Sequence, residues 1–229
     1  GVSGFRVDAV PFLISTDGVS EQEKRAFSDP HGYLKALRSV VARRTGDGVL
    51  LGEVNVPHAQ QLEFFGGPDG DELTMMFDFI SMENLYLSLA REDARPLAAA
   101  LESRPPVTHD CQWVTFVRNH DELTLDKLSE EERQEVFDAF GPEPEMQLYG
   151  RGLRRRLPTM LDGDPRRLRM VYSLLFSLPG TPALFYGEEI GMGENLDVPG
   201  RLAVRTPMQW SSGPNGGFSS VRPSQLFRP

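Results

Sequence analysis

Cysteine is nearly absent: Cys111 stands alone among 229 residues, which excludes an intrachain disulfide and any CxxC-type zinc or redox pair. A reducing, cytoplasmic setting is the expectation that follows. Positive charge is also scarce, with 24 Lys and Arg against 33 Asp and Glu. The net charge of −9 opposes nucleic-acid and anionic-membrane partners, which are held through clustered cations. One basic string remains, Arg151 to Arg156 in GRGLRRR. It reads as a solvated helix face, with placement of a substrate or of a neighbouring loop as the alternative. Long apolar runs are missing: the stretch around Val171 to Leu178 contains serines and closes at Pro179-Gly180, far short of the roughly 20 residues of a membrane span. Neither GxGxxG after a strand nor GxxxxGK[ST] occurs, so dinucleotide and P-loop nucleotide sites have no sequence support.

What is present is enough apolar material, 39% of residues, for one large domain or two small ones. Short apolar runs alternate with helical stretches. Phe5 to Val10, Val49 to Val54, Met75 to Ile80, Trp113 to Val117 and Ala183 to Tyr186 are strand candidates. A helix is expected from Asp29-Pro30, with Leu34, Leu37, Val40 and Val41 as its apolar face. Leu85, Leu87 and Leu89 mark another helical stretch, Ser129 and Glu132 have capping-box spacing for a helix through Phe140, and Pro165 to Leu178 reads as a further helix. This alternation predicts an α/β fold with a parallel sheet. The acidic loop Asp69-Gly70-Asp71-Glu72 reads as a solvated turn.

Acidic residues stand just past the ends of four of these strands: Asp8, Glu53, Asp121 and the pair Glu188-Glu189. Ligands of parallel α/β folds bind beyond the carboxyl ends of the strands, and several strand ends converging on one site favour a closed barrel over an open sheet. Asp8 and Glu53 are one strand-helix unit apart and would be neighbours on the rim. Retaining glycoside cleavage uses two carboxyl groups about 5 to 5.5 Å apart, a nucleophile and an acid. Arg6, two residues before Asp8 on the same strand face, would favour its ionised form, and the apolar flanks of Glu53 would favour a protonated one. Each residue also has a purely structural alternative: a cap or turn for Asp8, a buried ion pair for Glu53, a surface turn for His120.

The strings Gly4-Phe5-Arg6-Val7-Asp8-Ala9-Val10, Gly52-Glu53-Val54-Asn55 and Val117-Arg118-Asn119-His120-Asp121-Glu122 resemble, in order, the second, third and fourth signature regions of the alpha-amylase family of glycoside hydrolases. The resemblance extends through Leu178 to Gly191 and Arg205-Thr206-Pro207-Met208-Gln209-Trp210, strings similar to the trehalose synthase and α-glucosidase branch. It implies that Asp8 is the nucleophile, Arg6 its ion-pair partner and Glu53 the general acid/base. Asp121 would hold hydroxyls of the sugar being cleaved, with His120 donating beside it. Ala9, directly after the nucleophile, goes in that branch with α-1,4 linkages, so maltose or a short maltooligosaccharide is the expected substrate. Hydrolysis and isomerisation of maltose to trehalose share one glycosyl-enzyme, and the strings leave open which follows.

The family barrel has eight strands, and five are readable here, corresponding to the fourth through eighth. Residues 1–229 are therefore expected to be a partial (β/α)8 barrel lacking the first three strands, with 192–229 as loop and tail after the last one. By itself such a chain is expected to be inactive and to aggregate or dimerise through its open edges. No cofactor is needed for the chemistry. A structural calcium in the parent enzyme and a non-catalytic, carbohydrate-binding or scaffold role are the remaining alternatives.

Overall fold

Four short strings pair as parallel strands in chain order: Gly4–Val7 (β1), Val49–Gly52 (β2), Met75–Phe77 (β3) and Gln112–Phe116 (β4). Registers run Arg6 against Leu51, Gly52 against Met76, and Phe77 against Val114. The computed structural model describes residues 1–14, 29 and 31–226. Its backbone divides into two units, the first comprising Gly1–Ser81, Ala98–Thr115 and Pro179–Thr181, the second Met82–Leu97, Phe116–Leu178 and Pro182–Pro229.

In the first unit, Val10–Leu13 (α1), Gly32–Thr45 (α2) and His58–Phe64 (α3) follow or link the strands. The core is built from Leu34 and Val41 of α2, Leu50 of β2, Phe64, Phe65, Leu73, Met76 and Trp113. Gly52 is required by this packing, because a Cβ there would run into the Leu73 side chain. Of the expected start of α2, Pro30 lies outside the described residues; the Asp29 carboxylate accepts the His31 N–H at 3.0 Å, and the helix opens at Gly32. Val40, assigned to the apolar face, is exposed instead.

Two further expectations need correction in this unit. The third strand ends at Phe77 rather than Ile80, because Asp78 turns the chain: its Oδ1 accepts the Ser81 N–H at 3.0 Å and starts helix Phe79–Arg91 (α4). Most of α4 lies in the second unit. The acidic loop is not uniformly solvated either. Glu72 is buried, 2.7 Å from His31 Nδ1; burial pushes its carboxyl up, against the pull of that hydrogen bond.

In the second unit, Tyr86 of α4 lies under Phe140 edge to face and donates to the Val117 carbonyl at 2.8 Å. Helix Arg95–Ser103 (α5) begins here and had no expected counterpart. A small antiparallel sheet was also unforeseen: Leu123–Thr124 (β5), Gln147–Leu148 (β6) and Gly152–Leu153 (β7), in the order β5-β7-β6. The capping box forms as expected, with Ser129 Oγ accepting the Glu132 N–H at 3.2 Å and Glu132 accepting the Ser129 N–H at 3.1 Å, and opens Glu130–Phe140 (α6). Leu157–Met160 (α7) and Pro165–Ser177 (α8) follow, the latter capped by Asp164. The last strand is Thr181–Ala183 (β8), three residues long and earlier than the expected Ala183 to Tyr186. The physical reason is that the Phe185 N–H and the Tyr186 carbonyl are taken by Glu188 and Arg156, which leaves no backbone ladder there.

The Arg151 to Arg156 string is not a solvated helix face. It enters β7 and then buries Arg154 and Arg156, whose guanidiniums donate to carbonyls of a neighbouring loop. Beyond Met192 the described chain runs through short 3-10 turns at Gly200–Val204, Pro214–Gly217 and Pro223–Gln225. Among the described residues no helix is long and apolar enough to cross a membrane.

Candidate active site

The parallel pairing of β1 and β2 continues past both strand ends. The Glu53 N–H donates to the Val7 carbonyl at 3.0 Å, and the Val10 N–H donates to the Glu53 carbonyl at 3.1 Å. Asp8 and Glu53 are thereby fixed side by side at the carboxyl edge of the sheet. Ala9 holds a left-handed backbone (φ 45°, ψ 46°), which turns the chain directly from Asp8 into α1. Such a conformation is costly for a residue with a Cβ and is kept where surrounding structure imposes it.

Arg6 projects from β1 to both acids. Its Nη2 lies 3.1 Å from Asp8 Oδ1 and forms an ion pair with Glu53 Oε2. The first contact follows from the two-residue spacing of Arg6 and Asp8; the second is an ion pair of the kind named as the structural alternative for Glu53, here partly exposed and with Arg6 as the partner. One guanidinium nitrogen thus meets a carboxylate oxygen of each acid and draws the two side chains together. Asp8 is open to solvent, its side chain 73% exposed, whereas Glu53 is 22% exposed. Behind Glu53, the fully buried Gln61 of α3 donates from Nε2 to the Val54 carbonyl at 2.8 Å and anchors the turn that carries the acid. No sequence signal marked Gln61, because its partner is a backbone atom.

In the second unit, His120 and Asp121 form another cluster. His120 Nε2 is 3.7 Å from Asp121 Oδ2. Asp121 Oδ1 receives Arg205 Nη2 at 2.5 Å and Arg201 Nη1 at 3.2 Å, while Arg205 Nε donates to the His120 carbonyl at 2.6 Å. The neighbouring Glu122 is buried between Arg201 Nε at 2.6 Å and Arg151 Nη2 at 3.1 Å. Arg118 holds the loop from below: its buried guanidinium donates to the carbonyls of Asp121 at 2.8 Å and Arg155 at 2.7 Å. Burial pushes the Arg118 pKa down to about 10, still high enough to leave it charged at neutral pH. Glu188, the acid after β8, is buried with Oε2 on the Phe185 N–H at 2.8 Å; burial pushes its carboxyl up to about 7. Glu189 is exposed.

Arg118, Glu122 and Arg205 stand within the strings that carry the family resemblance, but their partners do not follow from those strings. Arg201 lies outside them and has no sequence signal beyond its charge. Among the described residues no group of three or more His, Cys, Asp or Glu side chains is placed to hold a metal ion.

A family model described as "Alpha amylase, catalytic domain" matches residues 1–138 and 154–227. The chain is 39% identical over 231 residues to the trehalose synthase/amylase TreS of Mycolicibacterium smegmatis, a match covering 100% of this chain and 38% of that protein. It is 41% identical over 230 residues to the trehalose synthase of Thermus thermophilus, covering 100% of this chain and 23% of that one. The chain thus spans well under half the length of these curated relatives. Among solved structures, sucrose 6F-phosphate phosphorylase from Thermoanaerobacter thermosaccharolyticum superposes with a TM-score of 0.71 at 19% identity, over 90% of this chain and 42% of that one. At that identity the likeness concerns the fold.

Proposed function

Because the chain belongs to the alpha-amylase family, we propose that its carboxylates serve a retaining α-glucosidase-type hydrolase or transglucosidase acting on α-1,4-linked glucosides such as maltose. The observation that carries this reading is the pair of acids meeting one guanidinium nitrogen at the ends of adjacent parallel strands. Two acids sharing one guanidinium nitrogen stand close together, as a retaining pair at about 5 to 5.5 Å must, whereas an inverting pair at about 6.5 to 9.5 Å leaves room for a water between them.

In the proposed reaction an Asp8 carboxylate oxygen attacks the anomeric carbon while the Glu53 carboxylic acid gives its proton to the departing glycosidic oxygen. The C–O bond to the leaving sugar breaks and an ester to Asp8 forms. Glu53, now a carboxylate, removes a proton from an incoming hydroxyl, whose oxygen displaces Asp8 and restores the α configuration. Arg6 orients the Asp8 carboxylate through their ion pair. Asp121 accepts hydrogen bonds from hydroxyls of the sugar, and the His120 imidazole donates to it. If water attacks, the outcome is hydrolysis. If the anomeric hydroxyl of the released glucose attacks, the outcome is trehalose, a reading favoured by the trehalose synthases at 39–41% identity.

The four parallel strands and β8, which follows β4 in the sheet order, take the places of the fourth to eighth strands of a (β/α)8 barrel in this proposal, and the activity belongs to a polypeptide with all eight. The relatives, of which the matched segment is 38% or less, support that view. The 229 residues by themselves are proposed to be inactive. A polypeptide carrying this sequence within a complete barrel should be labelled on Asp8 by 5-fluoro-α-glucosyl fluoride, as read by peptide mass spectrometry. A label on another residue, or none despite turnover, would defeat the assignment.

A further inference from the structure

We infer that Tyr149 is a stacking platform for the second sugar unit of an α-glucoside whose first unit is held at Asp121; this rests on the sugar-binding role proposed for that carboxylate. Tyr149 stands at the tip of the β6–β7 hairpin. The Leu148 carbonyl accepts the Arg151 N–H at 3.3 Å, closing a turn whose central residues, Tyr149 and Gly150, both have positive φ, 58° and 65°. Turns with that sign pattern favour Asn-Gly or Gly-Gly, and a bulky aromatic in the first position is disfavoured. The ring is nevertheless 62% exposed, so no core packing offsets the strain. Strain kept at an exposed position points to a use for the side chain.

The surroundings indicate the use. The guanidinium carbons of Arg151 and Arg201 lie 5.9 Å and 5.4 Å from the ring centroid. Both arginines are already paired with Glu122, so the ring is not needed to order them. Arg201 also reaches Asp121 Oδ1 at 3.2 Å. Adding that contact to the ring distance and one C–N bond puts the ring centroid within about 10 Å of the Asp121 oxygen. A disaccharide with one unit at Asp121 can reach a ring within that distance. An aromatic surface offers contact to the apolar C–H face of a pyranose, and flanking guanidiniums offer N–H donors to its hydroxyls. The class of ligand is thus a neutral disaccharide or longer glucoside.

The test is a calorimetric titration of a complete-barrel polypeptide carrying this sequence, made inert by Glu53→Gln, with maltose and, separately, with glucose, for that parent, taken as wild type at 149 and 121, and for Tyr149→Gly, Tyr149→Phe and Asp121→Asn added to it. Glycine suits the backbone at 149, so unchanged or raised thermal stability of Tyr149→Gly shows that the fold is intact. The platform requires Tyr149→Gly to weaken maltose about tenfold while glucose affinity stays within about twofold, and Tyr149→Phe to retain maltose binding. Wild-type maltose affinity in Tyr149→Gly, or equal loss of both sugars, overturns the inference alone. Glucose binding unaffected by Asp121→Asn, or no sugar binding by the wild type, overturns the Asp121 reading and the platform with it.

Discussion

Arg156 is the side chain whose loss should be felt most widely. It is 1% exposed and bears three guanidinium hydrogen bonds to carbonyls: Nε and Nη2 to Val204 at 3.2 and 2.7 Å, and Nη1 to Tyr186 at 2.8 Å. Its carbon lies 4.4 Å from the Phe185 ring centroid and 5.0 Å from that of Tyr186. Arg156→Met keeps much of the volume but strands both carbonyls, each at a cost of about 1–3 kcal/mol when buried. Loss of the cation–π contacts adds about 1 kcal/mol or more, and relief from burying a charge offsets part of the total. The net expectation is about 3–5 kcal/mol of destabilisation. At about 2–4 °C per kcal/mol for a chain of this size, the thermal midpoint should fall by about 6–20 °C. Circular dichroism melts and urea titrations measure both quantities, and hydrogen exchange should rise first around residues 200–206. Arg156→Lys should recover part of the loss through one restored hydrogen bond. A change below about 1 kcal/mol in Arg156→Met would refute the claim that this guanidinium holds the segment carrying Arg205.

Glu83 makes stability depend on pH. Burial, followed by the charge of Asp126, pushes its carboxyl up to about 9 from 4.5. A raised folded-state value means the contribution is fully present below pH 4.5 and is lost as pH rises through about 9. Wild-type stability should therefore decline across that window, and Glu83→Gln, whose amide oxygen can still accept the Lys127 N–H, should flatten the decline; parallel urea curves at pH 5, 7 and 9 for the two proteins would contradict this. Ser129→Ala removes one half of the capping box and should cost about 1 kcal/mol, measured by urea titration, whereas Ser129→Asp should cost little.

Features encoded by neighbouring residues were the ones readable in advance. The capping box needs only Ser129 and Glu132 three positions apart, and the Arg6–Asp8 pair needs only the two-residue repeat of a strand. The approach of Arg6 to Glu53 depends instead on the register that sets Arg6 beside Leu51, which one strand cannot reveal. The arginine string was misread for a similar reason. Three adjacent cations look solvated until carbonyls 30 to 48 residues away accept Arg156's protons and the Glu194 carboxylate meets Arg155. Strands of two residues, such as β5, β6 and β7, are too short for an alternating pattern to show. Phe185 and Tyr186 have strand propensity, yet Glu188 and Arg156 outcompete the ladder for their backbone groups.

The division of labour between Asp8 and Glu53 is tested most directly by the stereochemistry of azide rescue in the complete-barrel polypeptide, with an activated aryl α-glucoside as substrate. Asp8→Gly opens the face opposite the leaving group, so azide should displace it directly and give β-glucosyl azide. Glu53→Ala leaves the ester to Asp8 able to form, and azide attack on that ester should give α-glucosyl azide. The opposite pairing of variants and products, or the same anomer from both, would contradict the assignment of Asp8 as nucleophile and Glu53 as acid/base.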